Sequence, residues 1–187
     1  MRTMEPVFGR PLITQEQIRA RVRELGKEIT TAYRQKDLVM IGVLKGTFAF
    51  FADLVRAIRL PLHVDFLVVK SRSVRKPAKS GKVKLVSDLS DDIRDRDVLL
   101  VEDIVDSGLT VQYLSRVLAK HRPRSLEICT LLSKPSRRQV DVDLRFVGFE
   151  IPDQYVVGYG MDYHQQYRNL PYLAVLDPHL VQKQDPR

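Results

Sequence analysis

Residues 98–110 read Val98-Leu99-Leu100-Val101-Glu102-Asp103-Ile104-Val105-Asp106-Ser107-Gly108-Leu109-Thr110. The apolar run Val98–Val101 predicts a short buried strand, and the paired acids Glu102 and Asp103 follow it. A loop carrying Asp-Ser-Gly-x-Thr comes next, after which Val111, Leu114, Val117 and Leu118 recur at helical spacing. A strand running through a short loop into a helix is the repeating unit of an α/β fold with a parallel sheet and right-handed crossovers.

The surrounding chain carries the same alternation. Thr14 and Gln17 form a capping-box pattern ahead of Ile18, Val22, Leu25 and Ile29, which predicts an amphipathic helix with Arg19, Arg21, Arg23 and Lys27 mostly outward. Leu38–Val43 reads as a buried strand, and Phe48, Phe51, Ala52, Val55 and Ile58 trace a second helix after the turn at Gly46. Val64–Val69 and Val83–Val86 read as strands on either side of a long basic loop. Further strands are predicted at Ser125–Leu132, Leu144–Phe149, Val156–Tyr159 and Tyr172–Leu176. The expectation is one α/β domain over residues 1–187, with a loop at about 70–84 and a β-rich segment from about 150 to the end.

Composition narrows the function classes. With 44% hydrophobic and 29% charged residues in 187, the chain is neither collagenous nor disordered and can bury a core unaided. Its apolar runs, near Leu38–Leu44 at their longest, are far short of the ~20 residues of a membrane span. Met1-Arg2-Thr3-Met4-Glu5-Pro6 lacks the apolar centre of a signal peptide, and the single cysteine, Cys129, fits a reducing cytoplasm. The net charge of +8 is unevenly spread. Seven cations and no acid lie between Lys70 and Lys84, and an acidic block from Asp88 to Asp106 follows directly. That separation predicts a basic loop beside an acidic site, or else a merely solvated loop.

The 98–110 segment also carries chemistry. A helix opened by a strand-to-loop transition presents free N–H groups and a dipole that favours an anion. Gly108 permits close backbone approach, while Ser107 and Thr110 add hydroxyl donors. This is a phosphate cradle, though neither a Walker A loop nor a G-x-G-x-x-G fingerprint occurs in the chain. The acids just before it would lie beside a sugar carrying that phosphate. Taken alone, the Asp-Ser-Gly run also fits an ordinary Asp or Ser helix cap.

Val98–Thr110 closely resembles the 5-phosphoribosyl-1-pyrophosphate (PRPP) signature of the type I phosphoribosyltransferases. Within that family the chain is similar to the bacterial hypoxanthine phosphoribosyltransferases. The supporting stretches are Leu44-Lys45-Gly46, Lys134-Pro135 with Arg137-Arg138, Val147–Asp153, Val156–Tyr163 and Tyr167–Tyr172. The resemblance implies the type I fold: a largely parallel sheet flanked by helices, a small hood and a mobile loop. It implies a purine-salvage transferase converting hypoxanthine, and guanine, with PRPP to IMP or GMP and pyrophosphate. Magnesium is the implied cofactor, and a homodimer or homotetramer the implied assembly.

Site roles are implied in the same way. Glu102 and Asp103 would hold the ribose hydroxyls alongside magnesium, with Asp162 a second magnesium-site acid. Asp106, Ser107, Gly108, Leu109 and Thr110 would cradle the 5′-phosphate, Asp106 also reaching the purine N7 as the catalytic group. Lys45, Gly46, Arg168, Ser71 and Arg72 would face pyrophosphate, with a cis peptide after Leu44. Lys134 would donate to the 6-oxo group, Tyr155 stack on the base, and Val156 read its other edge beside Asp162. Without the resemblance, Lys45 reads as a solvated lysine, Lys134-Pro135 as a strand end, Tyr155 as core and Arg168 as a surface bridge. The four histidines show no ligand spacing, and Cys129 reads as a small core hydrophobe.

One place departs from the family. The loop usually opens with Ser-Tyr, whereas here Ser71 is followed by Arg72 and a basic run. Rival readings are a transferase preferring guanine or xanthine, and a regulatory RNA-binding protein on the same fold, for which the charge argues. The intact set of acids with Lys134 makes nucleic acid the weaker expectation.

Overall fold

The structure, a computed structural model, describes residues 11–70 and 84–176. Helix α1 (Gln15–Ala32) starts at a complete capping box, Thr14 and Gln17 each accepting from the other's backbone N–H. After it come β1 (Leu38–Leu44), α2 (Phe48–Ala57), β2 (His63–Lys70), β3 (Lys84–Ser87) and β4 (Asp97–Val105). Helix α3 (Leu109–Ala119), β5 (Ser125–Ser133) and β6 (Phe146–Glu150) complete the main sheet, and β7 (Val156–Val157) and β8 (Ala174–Val175) form a separate antiparallel pair. In the main sheet the order is β3-β2-β1-β4-β5-β6, all parallel except β3 against β2.

Both faces of the central strands are covered, which is why they read as unbroken apolar runs. Leu38 and Met40 of β1 and Leu99 and Val101 of β4 join the core under α1 and α2. Their alternates, Val39, Ile41, Val98 and Leu100, pack with Val111, Leu114 and Leu118 of α3. The chain builds outward from β1 through β2 to β3, then returns to lay β4 on the other side of β1. Between those carboxyl ends the crossovers diverge, and a crevice opens there, where open α/β sheets bind ligands.

Three expectations change. The strand at 98–101 continues to Val105, because its ladder with β5 holds through Glu102 and Thr130 to Val105 and Ser133. The paired acids therefore stand on the strand itself. In α2 the buried residues are Phe50, Phe51 and Leu54, while Phe48 and Ala52 are exposed. A helix apolar on several sides leaves its inward face to be chosen by packing against α1. The β-rich segment forms shorter strands than predicted, because the chain turns at Gly158, Tyr159 and Gly160, all with positive φ.

Much of the acidic block is structural. Asp88 accepts from the Leu89 N–H, Asp92 from the Arg94 N–H, and Asp97 from Ser125 and Arg124, while outside the block Asp65 accepts from the N–H groups of Ser90 and Asp91. Only Glu102, Asp103 and Asp106 of that block line the crevice. Most of the basic stretch expected beside that site lies outside the described residues.

Helices α1 and α2 meet at Gly26, where a Cβ would stand 2.6 Å from that of Ala57 and 2.7 Å from its carbonyl oxygen. A Gly26→Val substitution is expected to cost about 1–3 kcal/mol through overpacking, read as a lower denaturant midpoint with an unchanged slope.

Candidate active site

Two adjoining cavities, of about 280 Å³ and 740 Å³, lie over the carboxyl ends of β1, β2 and β4 and share Leu44, Lys45, Gly46, Asp103 and Asp106 in their walls. The Leu44–Lys45 peptide is cis, as the resemblance implies. At Gly46 the backbone and β4 nearly touch: a Cβ there would fall 1.6 Å from Asp103 Oδ2. No other residue leaves room for that carboxylate.

Glu102 and Asp103 form the floor. Glu102 is buried, and its Oε1 has no hydrogen-bond partner among the described residues. Burial, then the adjacent Asp103, pushes its carboxyl well above the usual carboxylate range. Burial also pushes Asp103 up to about 6, against the opposing pull of its bond from the Ile104 N–H and of the Arg168 charge. Unpartnered buried carboxylate oxygen is costly, and its place in a cleft wall marks a surface shaped for a ligand.

Beyond Val105 the chain turns through Asp106 and Ser107 to Gly108, which sits at φ +83° as the N-cap of α3 and offers no side-chain cap. The alternative reading of an Asp or Ser cap is thereby overturned. Arg138 stitches the loop from outside, its Nη1 donating to the carbonyls of Val105 (3.1 Å) and Asp106 (2.9 Å) and its Nη2 to Ser133 Oγ (2.9 Å). Ser107 O accepts from Gln139 N at 3.0 Å. With its carbonyls held against the 133–140 segment, the loop shows Ser107, Gly108 and Thr110 to the cavity. Leu109 is not among the lining residues; its contribution is an N–H, 3.4 Å from Ser107 Oγ.

The wider cavity places the remaining candidates. Lys134 is buried with its Nζ 3.8 Å from Asp153 Oδ1, and Arg137 bridges Asp153 (3.6 Å) and Asp106 (3.2 Å). Asp106, Arg137, Asp153 and Lys134 thus form one line of alternating charge. Arg137 and Asp153 carry no role in the sequence reading: Arg137 lies 31 residues from Asp106, and only the parallel register of β4 and β5 brings them together.

Opposite stands the hood. Tyr155 is 49% exposed on the cavity wall, donates its hydroxyl to Asp162 O and packs edge-on against Tyr163. It is not the core aromatic of the alternative reading, whereas Val156 is buried beside it. Arg168 pairs with Asp162 at 2.6 Å and donates to Gly160 O at 2.7 Å. Gly160, at φ +103°, lies so close to the β1–α2 loop that a Cβ would meet Gly46 O at 2.0 Å.

The structure therefore brings Lys45, Gly46, Glu102, Asp103, Asp106, Ser107, Gly108 and Thr110 into one cleft with Lys134, Tyr155, Val156, Asp162 and Arg168. Ser71 and Arg72 lie outside the described residues. Glu102, Asp103 and Asp162 are not one ligand cluster: no group of three His, Cys, Asp or Glu among the described residues could hold a metal ion, and Asp162 is drawn to Arg168 and the Gln165 N–H. Cys129 is fully buried and burial pushes its thiol far up, as fits a core residue.

The phosphoribosyl transferase domain matches residues 13–164. The chain is 49% identical over 178 residues to the hypoxanthine-guanine phosphoribosyltransferase of Mycobacterium avium, covering 92% of this chain and 87% of that one. It is also 49% identical to the hypoxanthine phosphoribosyltransferase of Salmonella typhimurium, covering 87% and 92%. The crystal structure of a hypoxanthine phosphoribosyltransferase from Staphylococcus aureus superposes with a TM-score of 0.89 at 41% identity, over 95% of this chain and 96% of that one.

Proposed function

The chain belongs to the phosphoribosyltransferase domain family, and from that membership we infer a purine-salvage enzyme that joins hypoxanthine or guanine to PRPP, giving IMP or GMP and pyrophosphate. The observation that carries the reading on this chain's own residues is the meeting, in one cleft, of the Asp106–Thr110 cradle, the Glu102–Asp103 floor and buried Lys134.

In the reaction a purine nitrogen attacks C1 of the ribose while the bond from C1 to the pyrophosphate oxygen breaks. The amides at the start of α3, with the Ser107 and Thr110 hydroxyls, hold the 5′-phosphate. Glu102 and Asp103 accept from the ribose hydroxyls. Lys45, the Gly46 backbone and Arg168 face the leaving pyrophosphate, where fixed charges act most strongly as negative charge grows. Asp106 takes up the proton released from the base, and Arg137 holds its carboxylate in place. Lys134, fixed by Asp153, donates to the 6-oxo group, and the Tyr155 ring covers the base.

Magnesium fits this donor set. Adjacent carboxylates on β4, one with a free buried oxygen, suit a hard cation that keeps several waters and takes the rest of its ligands from phosphate oxygens. When bound it supplies charge neutralisation at pyrophosphate. Asp162, held by Arg168 and the Gln165 N–H, would stay outside that donor set.

An assay of hypoxanthine, guanine, xanthine and adenine with PRPP and magnesium tests the reading. Hypoxanthine is expected to react and adenine not, because adenine presents an amino donor where Lys134 also donates. Efficient use of adenine overturns the role of Lys134, and full activity in excess chelator overturns that of magnesium.

A homo-oligomer is also proposed. Phe48, Val64, Phe66 and Val86 are exposed large hydrophobics of α2, β2 and β3, and Val64 and Phe66 alternate onto one face. Phe66→Glu is expected to sediment as a smaller species than the wild type; identical sedimentation removes this face from the interface. No helix among the described residues is long and apolar enough to cross a membrane, and a cytoplasmic place suits the lone buried thiol.

A further inference from the structure

A third cavity, of about 610 Å³, opens between α1 and α2 and shares no lining residue with the cleft. Its rim carries five cations. Arg19, Arg23 and Lys27 stand at four-residue intervals on α1, a stripe about 12 Å long at 1.5 Å per residue, and Arg56 and Arg59 face them from the end of α2.

The stripe is uncompensated. Like charges at i and i+4 disfavour a helix. Elsewhere on α1 the cation is balanced, Arg21 pairing with Glu24 and Glu28 while its guanidinium also caps the Val147 and Gly148 carbonyls at the sheet edge. The one acid in the cavity wall, Asp53, is committed: it accepts from the Tyr159 hydroxyl at 2.6 Å and pairs with Arg56. Among the described residues Arg19, Arg23, Lys27 and Arg59 enter no ion pair.

The floor has the opposite character. Val22, Ala57 and Tyr159, buried or half-buried, supply apolar and aromatic surface among the charged side chains, and exposed Pro171 adds to it at the edge. A bare anion has no use for such a floor, whereas a nucleobase does. Phosphates on the rim with the base on the floor, in a cavity of the ~300–1,000 Å³ usual for small-molecule sites, describe a nucleoside carrying several phosphates.

We propose that the α1–α2 cavity is a second ligand site, separate from the cleft, and that it binds a nucleoside polyphosphate. The site stands on Arg19, Arg23, Lys27, Arg59 and the Tyr159 floor and does not depend on the catalytic reading.

Calorimetric titration with ATP in magnesium-free buffer tests it, with saturating IMP present to fill the cleft. The wild type is expected to keep one ATP site per chain that IMP does not displace, with an affinity that falls as salt rises. The double variants Arg19→Gln/Arg23→Gln and Arg19→Glu/Arg23→Glu should weaken that site by about 10²-fold, the loss of two charge-assisted contacts. Both substitutions lie on an exposed helix face and relieve like-charge repulsion, so the melting temperature should not fall, and the hypoxanthine turnover without ATP should stay at its wild-type value. Inorganic tripolyphosphate should bind the wild type at least tenfold more weakly than ATP. Complete displacement of ATP by IMP overturns the site, as does wild-type affinity in both double variants. Tripolyphosphate binding as tightly as ATP overturns the nucleoside, and a single-stranded RNA oligomer that outcompetes ATP with loss in the same variants assigns the face to nucleic acid instead.

Discussion

Asp106→Asn is expected to lower kcat with hypoxanthine by about 10²–10⁴-fold while changing the affinity for PRPP by no more than a few-fold. The two effects separate because the proposed phosphate loop is held by groups other than the Asp106 side chain. Arg138 binds the carbonyls of Val105 and Asp106, and Gln139 N binds Ser107 O, so the loop keeps its course when the carboxylate becomes an amide. The amide cannot accept a proton from the attacking base, so the role proposed for Asp106 would be lost outright. It can still accept from Arg137, whose Nε lies 3.2 Å from Oδ1, so the line to Asp153 and Lys134 survives in geometry. Steady-state kinetics with PRPP as the varied substrate, together with a direct PRPP titration, check this. A raised KM for PRPP with kcat unchanged would make Asp106 a binding residue and leave the proton to another acceptor.

What the sequence discloses of this site is what lies contiguous in it. The strand, paired acids, loop and helix of residues 98–110 can be read in order because their geometry is local, and the structure departs only in carrying β4 to Val105. The acids that end the apolar run on paper do not end the ladder, since backbone pairing with β5 is indifferent to the side chain. Arg137 and Asp153 could not be assigned in this way. The 3-10 turn Pro135–Arg137 places Arg137 beside Lys134, but nothing local says that Asp106 lies within reach. The inward face of α2 is hidden for a similar reason, Phe48 and Phe51 being equally apolar until α1 chooses between them. Charge density misleads in the acidic block, where Asp88, Asp92 and Asp97 serve backbone amides, a serine hydroxyl and an arginine of the fold. Glycine is the subtlest signal: the sequence shows Gly46 and Gly160, but not that Gly160 stands where the Gly46 carbonyl needs the room and Gly46 where the Asp103 carboxylate does.

Gly160→Ala is expected to lower kcat/KM for PRPP by about 10²-fold, the scale on which a shift near 1 Å disturbs a preorganised site. Its Cβ would stand 2.0 Å from Gly46 O, a backbone atom that cannot rotate aside, and Gly46 is blocked from behind by Asp103 Oδ2. The β1–α2 loop has nowhere to retreat, so the hood must lift. Arg168 lifts with it through its bond to Gly160 O, and Asp162 through its pair with Arg168, taking charge away from the proposed pyrophosphate position. Gly158→Ala is the matched control. Gly158 has φ +102° against +103° for Gly160, and its Cβ would also stand 2.0 Å from a carbonyl oxygen, that of Tyr172 within the hood. Backbone strain and overlap are therefore alike in the two variants, and a similar loss of melting temperature is expected from both. They differ in what is pushed: hood against hood at Gly158, hood against the β1–α2 loop at Gly160. A markedly larger loss of PRPP efficiency in Gly160→Ala than in Gly158→Ala locates the effect in the contact between hood and loop. Equal losses would mean that the hood acts as a unit whose general stability, and not its seat on Gly46, sets the geometry at pyrophosphate.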